Sequence, residues 1–385
     1  MTNPLSPKAR THKLGVLYYT IKNVHPRHLS TLNHFYLAAL YKSSDVAEFG
    51  FDVVLRPLVD DLKQLEESGL EITCQGKNGT VKLGLAQVVG DNLGIHSLFG
   101  FAQGFTANLL CRKCKSHRDD QCFHVVTNFA PDVMHNLLEG ICAFEVKLVL
   151  HQLISNGSFD LETLNARIMS YNYGFPDSSN RPCIYKWSSL VNADGAPGQN
   201  AAQMWALIRN IGVMIADLVT EDDEHWELTL LLCDCMDIIL SPAISAGERA
   251  YMREIISDHH ELFLELFPNL HLKPKHHFML HYPAAALKSG PLVHYWSMRF
   301  EAKHNFFCRL SHIICNFKNI TKSMAYGHQM FQRYQMRSKQ SFKETSCEIG
   351  PGSCLLLNSI PDCHVLSQLL GGILYLQTFL LQNGL

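Results

Sequence analysis

The sequence lacks the short motifs that mark the most common nucleotide-binding and hydrolytic sites. It has no GxxxxGK[ST] phosphate loop, no GxGxxG after a candidate strand, no GxSxG turn and no HExxH. The enzyme classes that depend on these motifs are therefore not indicated. Any chemistry has to come from residues that lie further apart along the chain.

A disulfide framework and a membrane span are also lacking. The 13 cysteines are an odd number without regular spacing, and no signal peptide precedes them, which favours the cytosol or the nucleus. The most apolar stretch, 365–381, is interrupted by polar residues and a pair of glycines. It predicts a terminal packing helix rather than a membrane span, so we expect no membrane partner.

Charged residues are scarce, at 18 %, and the net charge of −2 names no partner. Their distribution is more informative. Between Lys273 and Lys343 the sequence has twelve Lys or Arg and a single acid, Glu301. One carboxylate within a basic stretch indicates contact with a phosphate backbone, and the alternative is a solvated basic helix face.

The periodicity of apolar residues predicts a mixed α/β amino-terminal part and a helical middle. Strands are predicted at 16–21, 70–74 and 80–89, with Asp91 just past the last one, where ligand chemistry commonly occurs. Helices are predicted at 32–41, 51–68, 133–154, 161–171, 201–219, 225–240, 247–266 and 297–317.

Two sets of residues have the character of metal ligands. Cys111 and Cys114 form a CxxC, and His276 and His281 have a spacer that lets both rings reach one ion, so together they could hold zinc. The remaining ligands could instead come from a local set, His117, Cys122 and His124. The alternative to any zinc site is that these are buried thiols and hydrogen-bonded histidines.

The second set consists of acids. Asp91 and Glu301 could hold Mg²⁺, which prefers oxygen ligands, so the chain would separate two metals by ligand type. Surface or capping acids are the alternative. Asp132 and His135 are spaced to share a helix face, although Asp132 also fits a helix N-cap. Glu139 and Glu145 are interpreted as acids on a helix surface.

Several segments together resemble a known family. They are NPLSPKARTHKLGVLYYTIKN, VVGDNLGIHSLFGF, the CRKC that follows it, PDVMHNLLEG, PKHHFMLHYP and WSMRFEAKHNFF. In this order they resemble the DDE/D transposases of the CACTA (EnSpm-like) type found in animal genomes, which are related to the V(D)J recombinase. The resemblance covers most of residues 3–335.

The resemblance implies an RNase H-like core with a large all-helical insertion, and a zinc site before the glutamate helix. Asp91 and Glu301 match the second and third catalytic acids, which would bind Mg²⁺ or Mn²⁺. The residues that match the ligands of a structural Zn²⁺ are Cys111, Cys114, His276 and His281. Asp132 and His135 match a DxxH motif whose role the resemblance leaves open. Residues expected to steady a DNA backbone are Lys303, Arg309 and Lys318.

This organisation predicts four regions. Core strands and helices occupy 1–110, the insertion with its zinc-binding ends 111–283, the core helix with Glu301 284–335, and a basic segment with an apolar tail 336–385. The family's first catalytic acid lies upstream of the NPL segment, which here begins at Asn3. We therefore expect an N-terminally incomplete core without that acid.

The functional expectation is a transposase-derived protein whose ancestral activity is metal-dependent cleavage and transfer of DNA strands. Because a carboxylate would be missing, the site is expected to be catalytically incomplete. The alternative is a non-catalytic, domesticated remnant that binds DNA or protein. Expected partners are transposon ends or non-specific duplex DNA, together with a second copy in a homodimer. The expected location is the nucleus, with the cytoplasm as the alternative.

Overall fold

The structure is a computed structural model that describes residues 13–24, 26–29, 31–100, 130–192, 195, 198–314 and 318–338. In this part of the chain the fold is mostly helical, with two small antiparallel sheets. The predicted ligands Cys111 and Cys114 and the apolar tail lie outside the described residues.

The first sheet joins β1 (Leu14–Tyr19) to β2 (Tyr36–Lys42), with a register irregularity between Leu17 and Tyr18. A short helix, α1 (Pro26–Leu29), lies between the strands. The prediction of a helix over 32–41 is wrong, because within that range only Leu32–His34 forms a 3-10 turn and the residues from Tyr36 onward belong to β2. Leucine and alanine favour a helix locally, but pairing with β1 overrides that preference.

Two helices and a hairpin follow β2. They are α2 (Ser43–Val54), α3 (Arg56–Glu67), β3 (Leu70–Cys74) and β4 (Lys77–Val81). At the hairpin turn, Gln75 and Gly76 both have positive φ, which a tight two-residue turn requires. The second strand ends at Val81 rather than at 89. Asp91 therefore does not end a strand, and it is instead the N-cap of α4 (Asn92–Leu98).

The middle of the chain is helical, as predicted. A π-helix over Met134–Cys142 leads into α5 (Ala143–Ser155). The helices that follow are α6 (Leu161–Ser170), α7 (Gly174–Asp177), α8 (Trp187–Val191), α9 (Ala201–Ile215), α10 (Glu224–Ile239), α11 (Ala246–Leu266), α12 (Pro274–Met279) and α13 (Tyr282–Ser289). One hydrophobic core of buried residues extends from Val133 to Trp296.

Two further helices, α14 (Ser297–Ile314) and α15 (Ile320–Arg337), pack against the first sheet. A small second core contains Phe307, Ile320 and Met324, and Val16 and Leu40 pack against it from the two strands. The sheet therefore lies on the helix that carries Glu301. This packing brings the amino-terminal part of the chain to the candidate site.

Candidate functional site

Asp132 is a buried carboxylate that receives hydrogen bonds both from its own neighbours in the chain and from Ser297, which is 165 residues away. The backbone N–H and the hydroxyl of Ser297 donate to it at 2.9 and 2.6 Å. The ring of His135 donates from Nδ1 at 2.5 Å, and the N–H of Met134 donates at 3.2 Å. Burial alone would raise the pKa of Asp132, but the hydrogen bonds from His135 and Ser297 and the charge of His135 lower it. Asp132 is therefore held as a carboxylate.

His135 lies between Asp132 and Glu301. Its Nε2 is 3.4 Å from Oε1 of Glu301 and 3.9 Å from Oε2 of Glu139. Burial alone would lower the pKa of His135, but the hydrogen bond to Asp132 and the three neighbouring carboxylates raise it. The ring is thus suited to remain protonated between two acids. The structure places the DxxH residues beside Glu301. Neither the spacing of these residues nor the periodicity of the sequence could predict this contact.

Asp91 reaches the same neighbourhood from α4. One of its oxygens accepts a hydrogen bond from the N–H of Gly94 at 2.7 Å, as expected of an N-cap. Burial raises the pKa of Glu301, and the charges of Glu139, Asp132 and Asp91 raise it further, while His135 opposes the change. Asp91 and Glu301 are therefore electrostatic neighbours, although 210 residues separate their numbers.

The π-helix that presents His135 and Glu139 is an uncommon element, and such turns often occur at functional sites. Lys275 reaches it from α12, and its Nζ donates to the His135 carbonyl at 2.7 Å. A side chain at Gly140 would collide with Lys275. The absence of a side chain at Gly140 thus leaves room for the Lys275 side chain to reach the carbonyl of His135.

The zinc set implied by the resemblance fits this structure only in part. His276 is buried, its Nε2 donates to Glu145 at 2.6 Å, and its Nδ1 accepts from the N–H of Lys273 at 2.9 Å. Both ring nitrogens are thus bound within the protein. Zinc at His276 stays a prediction, and a metal there would have to displace one of these bonds.

His281 is differently placed. Its Nε2 is 3.3 Å from the Nε2 of His277, although His277 was not among the expected ligands. Two nitrogens that hold one tetrahedral ion at about 2.0–2.1 Å are separated by roughly 3.3 Å, so this pair has the spacing of two zinc ligands. Within the described residues, no group of three or more His, Cys, Asp or Glu side chains is arranged for a metal.

The three cations expected to contact DNA do not share one environment. Lys303 is buried and donates to the Leu32 carbonyl at 3.0 Å, so the prediction that it contacts a phosphate backbone is wrong. Burial lowers the pKa of its ammonium group. Arg309 and Lys318 are exposed, and they stay candidates for phosphate contact.

The interpretation of Glu145 as a surface acid is also wrong. Glu145 is buried between His259 and His276, whose Nε2 atoms lie 2.8 and 2.6 Å from its two oxygens. Burial raises the pKa of Glu145, but the charge of His259 and the hydrogen bonds of both rings outweigh it, and the pKa falls to about 2. In the sequence, the apolar residues Phe144 and Val146 on either side of Glu145 indicate a buried helix.

Comparison of the chain with protein-family models and with curated proteins finds no match. In the described part of the chain, no helix is both long enough and apolar enough to cross a membrane.

Proposed function

We propose that the chain is a transposase-derived protein with an RNase H-like core, and that the site around Asp91 and Glu301 descends from metal-dependent cleavage and transfer of DNA strands. In this proposal the two carboxylates would hold Mg²⁺ or Mn²⁺, and the ion would supply activation of water or of a 3′ hydroxyl and stabilisation of the leaving oxygen. DNA is the proposed partner. A homodimer and a nuclear location stay predictions.

One observation supports this proposal above the others. Asp91, the Asp132–His135 pair and Glu301 come from three distant segments, and they form one electrostatic neighbourhood. Oxygen ligands in such a cluster suit a hard cation. Phosphoryl chemistry depends mainly on positioning and on stabilisation of charge, which a cluster of this kind provides.

The site is proposed to be catalytically incomplete. Two-metal catalysis needs several carboxylates that converge on the ions. Asp132 already accepts hydrogen bonds from Ser297, His135 and Met134, so its oxygens are occupied. This leaves Asp91 and Glu301 for a metal, and within the described residues no group of three or more such side chains is arranged to hold one.

Two measurements test the proposal. Electron paramagnetic resonance of Mn²⁺ should detect weak binding that Asp91→Asn and Glu301→Ala abolish, and equal binding by all three proteins would refute the assignment of the site. A plasmid nicking assay with Mg²⁺ or Mn²⁺ should show no more nicking by the chain than by Glu301→Ala. Robust nicking that Glu301→Ala removes would refute the proposed incompleteness.

We further propose a structural Zn²⁺ bound by Cys111, Cys114 and His281. We propose His277 in place of His276 as the fourth ligand, because its Nε2 lies 3.3 Å from that of His281. Bound zinc would tie the segment before α13 to the cysteine pair. Metal analysis of the purified chain tests this.

The alternative function is non-catalytic binding of duplex DNA. The observation in its favour is the exposed basic surface of α14 and α15. From Ser297 to Ile314 and from Lys318 to Ser338, Glu301 is the single acid. The exposed cations there are Arg299, Arg309, Lys318, Lys322, Arg333 and Arg337. Salt-sensitive binding to duplex DNA without cleavage, in a gel-shift assay, would favour this alternative.

A further inference from the structure

We propose that Asp132 is a positioning residue, which fixes the start of the helix that carries Glu301 and orients the ring of His135 against the Glu301 carboxylate. The inference rests on the proposed function only for the role of Glu301 in metal binding. The arrangement itself rests on hydrogen bonds and distances alone.

The start of α14 is the first part of the argument. Ser297 is its first residue, and the first N–H groups of a helix have no acceptor within the helix. Asp132 supplies that acceptor from 165 residues away, at 2.9 Å, and it also accepts from the Ser297 hydroxyl at 2.6 Å. A carboxylate at this position is further favoured by the positive end of the helix dipole.

The position of Glu301 is the second part. Glu301 lies four residues after Ser297, about one turn along the same face of α14. Its carboxylate meets Nε2 of His135 at 3.4 Å, while Nδ1 of the same ring donates to Asp132 at 2.5 Å. One buried carboxylate therefore controls both the helix that carries Glu301 and the ring that contacts it.

A simpler interpretation is that Asp132 only caps its own helix. It does accept from the N–H of Met134, at 3.2 Å. Both bonds from Ser297 are shorter than this one, and they cross between distant segments. The two interpretations predict that different helix starts become less stable when Asp132 loses a hydrogen bond: the start of α14 in the first case, and only the π-helix in the second.

Amide hydrogen exchange of the full chain, followed by mass spectrometry, separates them. Ser297→Ala removes one bond to Asp132 and leaves the π-helix intact, whereas Asp132→Asn affects both sides. Loss of a hydrogen bond to a charged group should accelerate exchange at 297–304 by roughly ten- to a hundred-fold in both variants. Ser297→Thr keeps the hydroxyl and should restore protection.

The matched control is Ser245→Ala. Ser245 caps α11 by accepting from the N–H of Glu248 at 3.1 Å, so the same substitution should loosen the start of α11 and leave α14 unchanged. The proposal is overturned if Ser297→Ala leaves exchange at 297–304 unchanged. It is also overturned if Asp132→Asn changes exchange only around 134–137.

Mn²⁺ affinity gives a readout that a purely structural role would not move. Ser297→Ala should weaken Mn²⁺ binding in folded protein, and Ser297→Thr should restore it. Full affinity in Ser297→Ala would overturn the positioning role. Absence of Mn²⁺ binding by the unsubstituted chain would instead refute the proposed function, and the exchange results would then decide this inference by themselves.

Discussion

Removal of the Glu145 carboxylate should cost more stability than removal of any exposed acid of the chain. Glu145 on α5 bonds to His259 on α11 and to His276 on α12, so one carboxylate ties three helices together. The rings of Phe144 and Phe263 pack around His276, so water cannot replace a lost acceptor. The cluster is a buried hydrogen-bonded network with apolar walls.

The magnitude follows from what each substitution leaves behind. Glu145→Ala leaves two buried imidazole N–H groups without an acceptor, and each costs about 1–3 kcal/mol. The two losses together give about 2–6 kcal/mol. Glu145→Gln keeps the shape and one carbonyl oxygen, so we expect about half of that loss.

Urea unfolding followed by far-ultraviolet circular dichroism measures these differences. Glu139→Gln is the matched control, because Glu139 lies on the preceding π-helix, its side chain is 30 % exposed, and its contact with His135 spans 3.9 Å. We expect the control to change the free energy of unfolding by less than about 0.5 kcal/mol. If Glu145→Gln were as stable as the control, the network would contribute nothing and the reasoning would be refuted.

Three further predictions concern acid, DNA and zinc. Because the pKa of Glu145 is about 2 in the folded chain against its usual 4.5, its contribution is complete above pH 4.5 and is lost as the pH falls toward 2. That loss is about 3 kcal/mol in acid unfolding curves, and it should be absent in Glu145→Gln. If the chain binds duplex DNA, Arg309→Gln and Lys318→Gln should each lower the slope of log affinity against log salt by about 0.9. Lys303→Met should leave that slope unchanged and lower the unfolding midpoint, and an altered slope would contradict the burial of Lys303. Elemental analysis of folded protein should show zinc lost in His281→Ala and His277→Ala but retained in His276→Ala, and zinc loss in His276→Ala alone would contradict the proposed ligand choice.

Local signals in the sequence were sufficient for the helical middle of the chain. The helix predicted from 201 begins at Ala201 behind a capping box of Asn200 and Gln203, and the one predicted from 247 begins at Ala246 behind Ser245 and Glu248. These starts depend on residues within one turn, so periodicity and capping residues could locate them. The ends agree about as well, since α10 ends at Ile239 against a predicted 240 and α11 ends at Leu266 as predicted, whereas α9 ends at Ile215 and not at 219.

The errors share a different cause, which is dependence on distant partners. The segment Tyr36–Lys42 is a strand because β1 pairs with it, and its own leucines and alanines indicate the opposite. Lys303 is buried, and the Leu32 carbonyl, 271 residues away, accepts a hydrogen bond from its ammonium group. No pattern within a short window contains either partner. The predicted neighbourhood of Asp91 and Glu301 depended on the resemblance for the same reason.

The two buried carboxylates also connect the candidate site to the core. Asp132 and Glu145 lie at opposite ends of the segment that contains the π-helix, and Asp132 binds the start of α14 while Glu145 binds α11 and α12. Lys275, next to His276 on α12, donates to the carbonyl of His135. A shift of α12 would therefore reach His135 through a single hydrogen bond. Because packed cores transmit strain, we expect the geometry at Glu301 to respond to the loss of the Glu145 carboxylate, although the two acids share no hydrogen-bond partner.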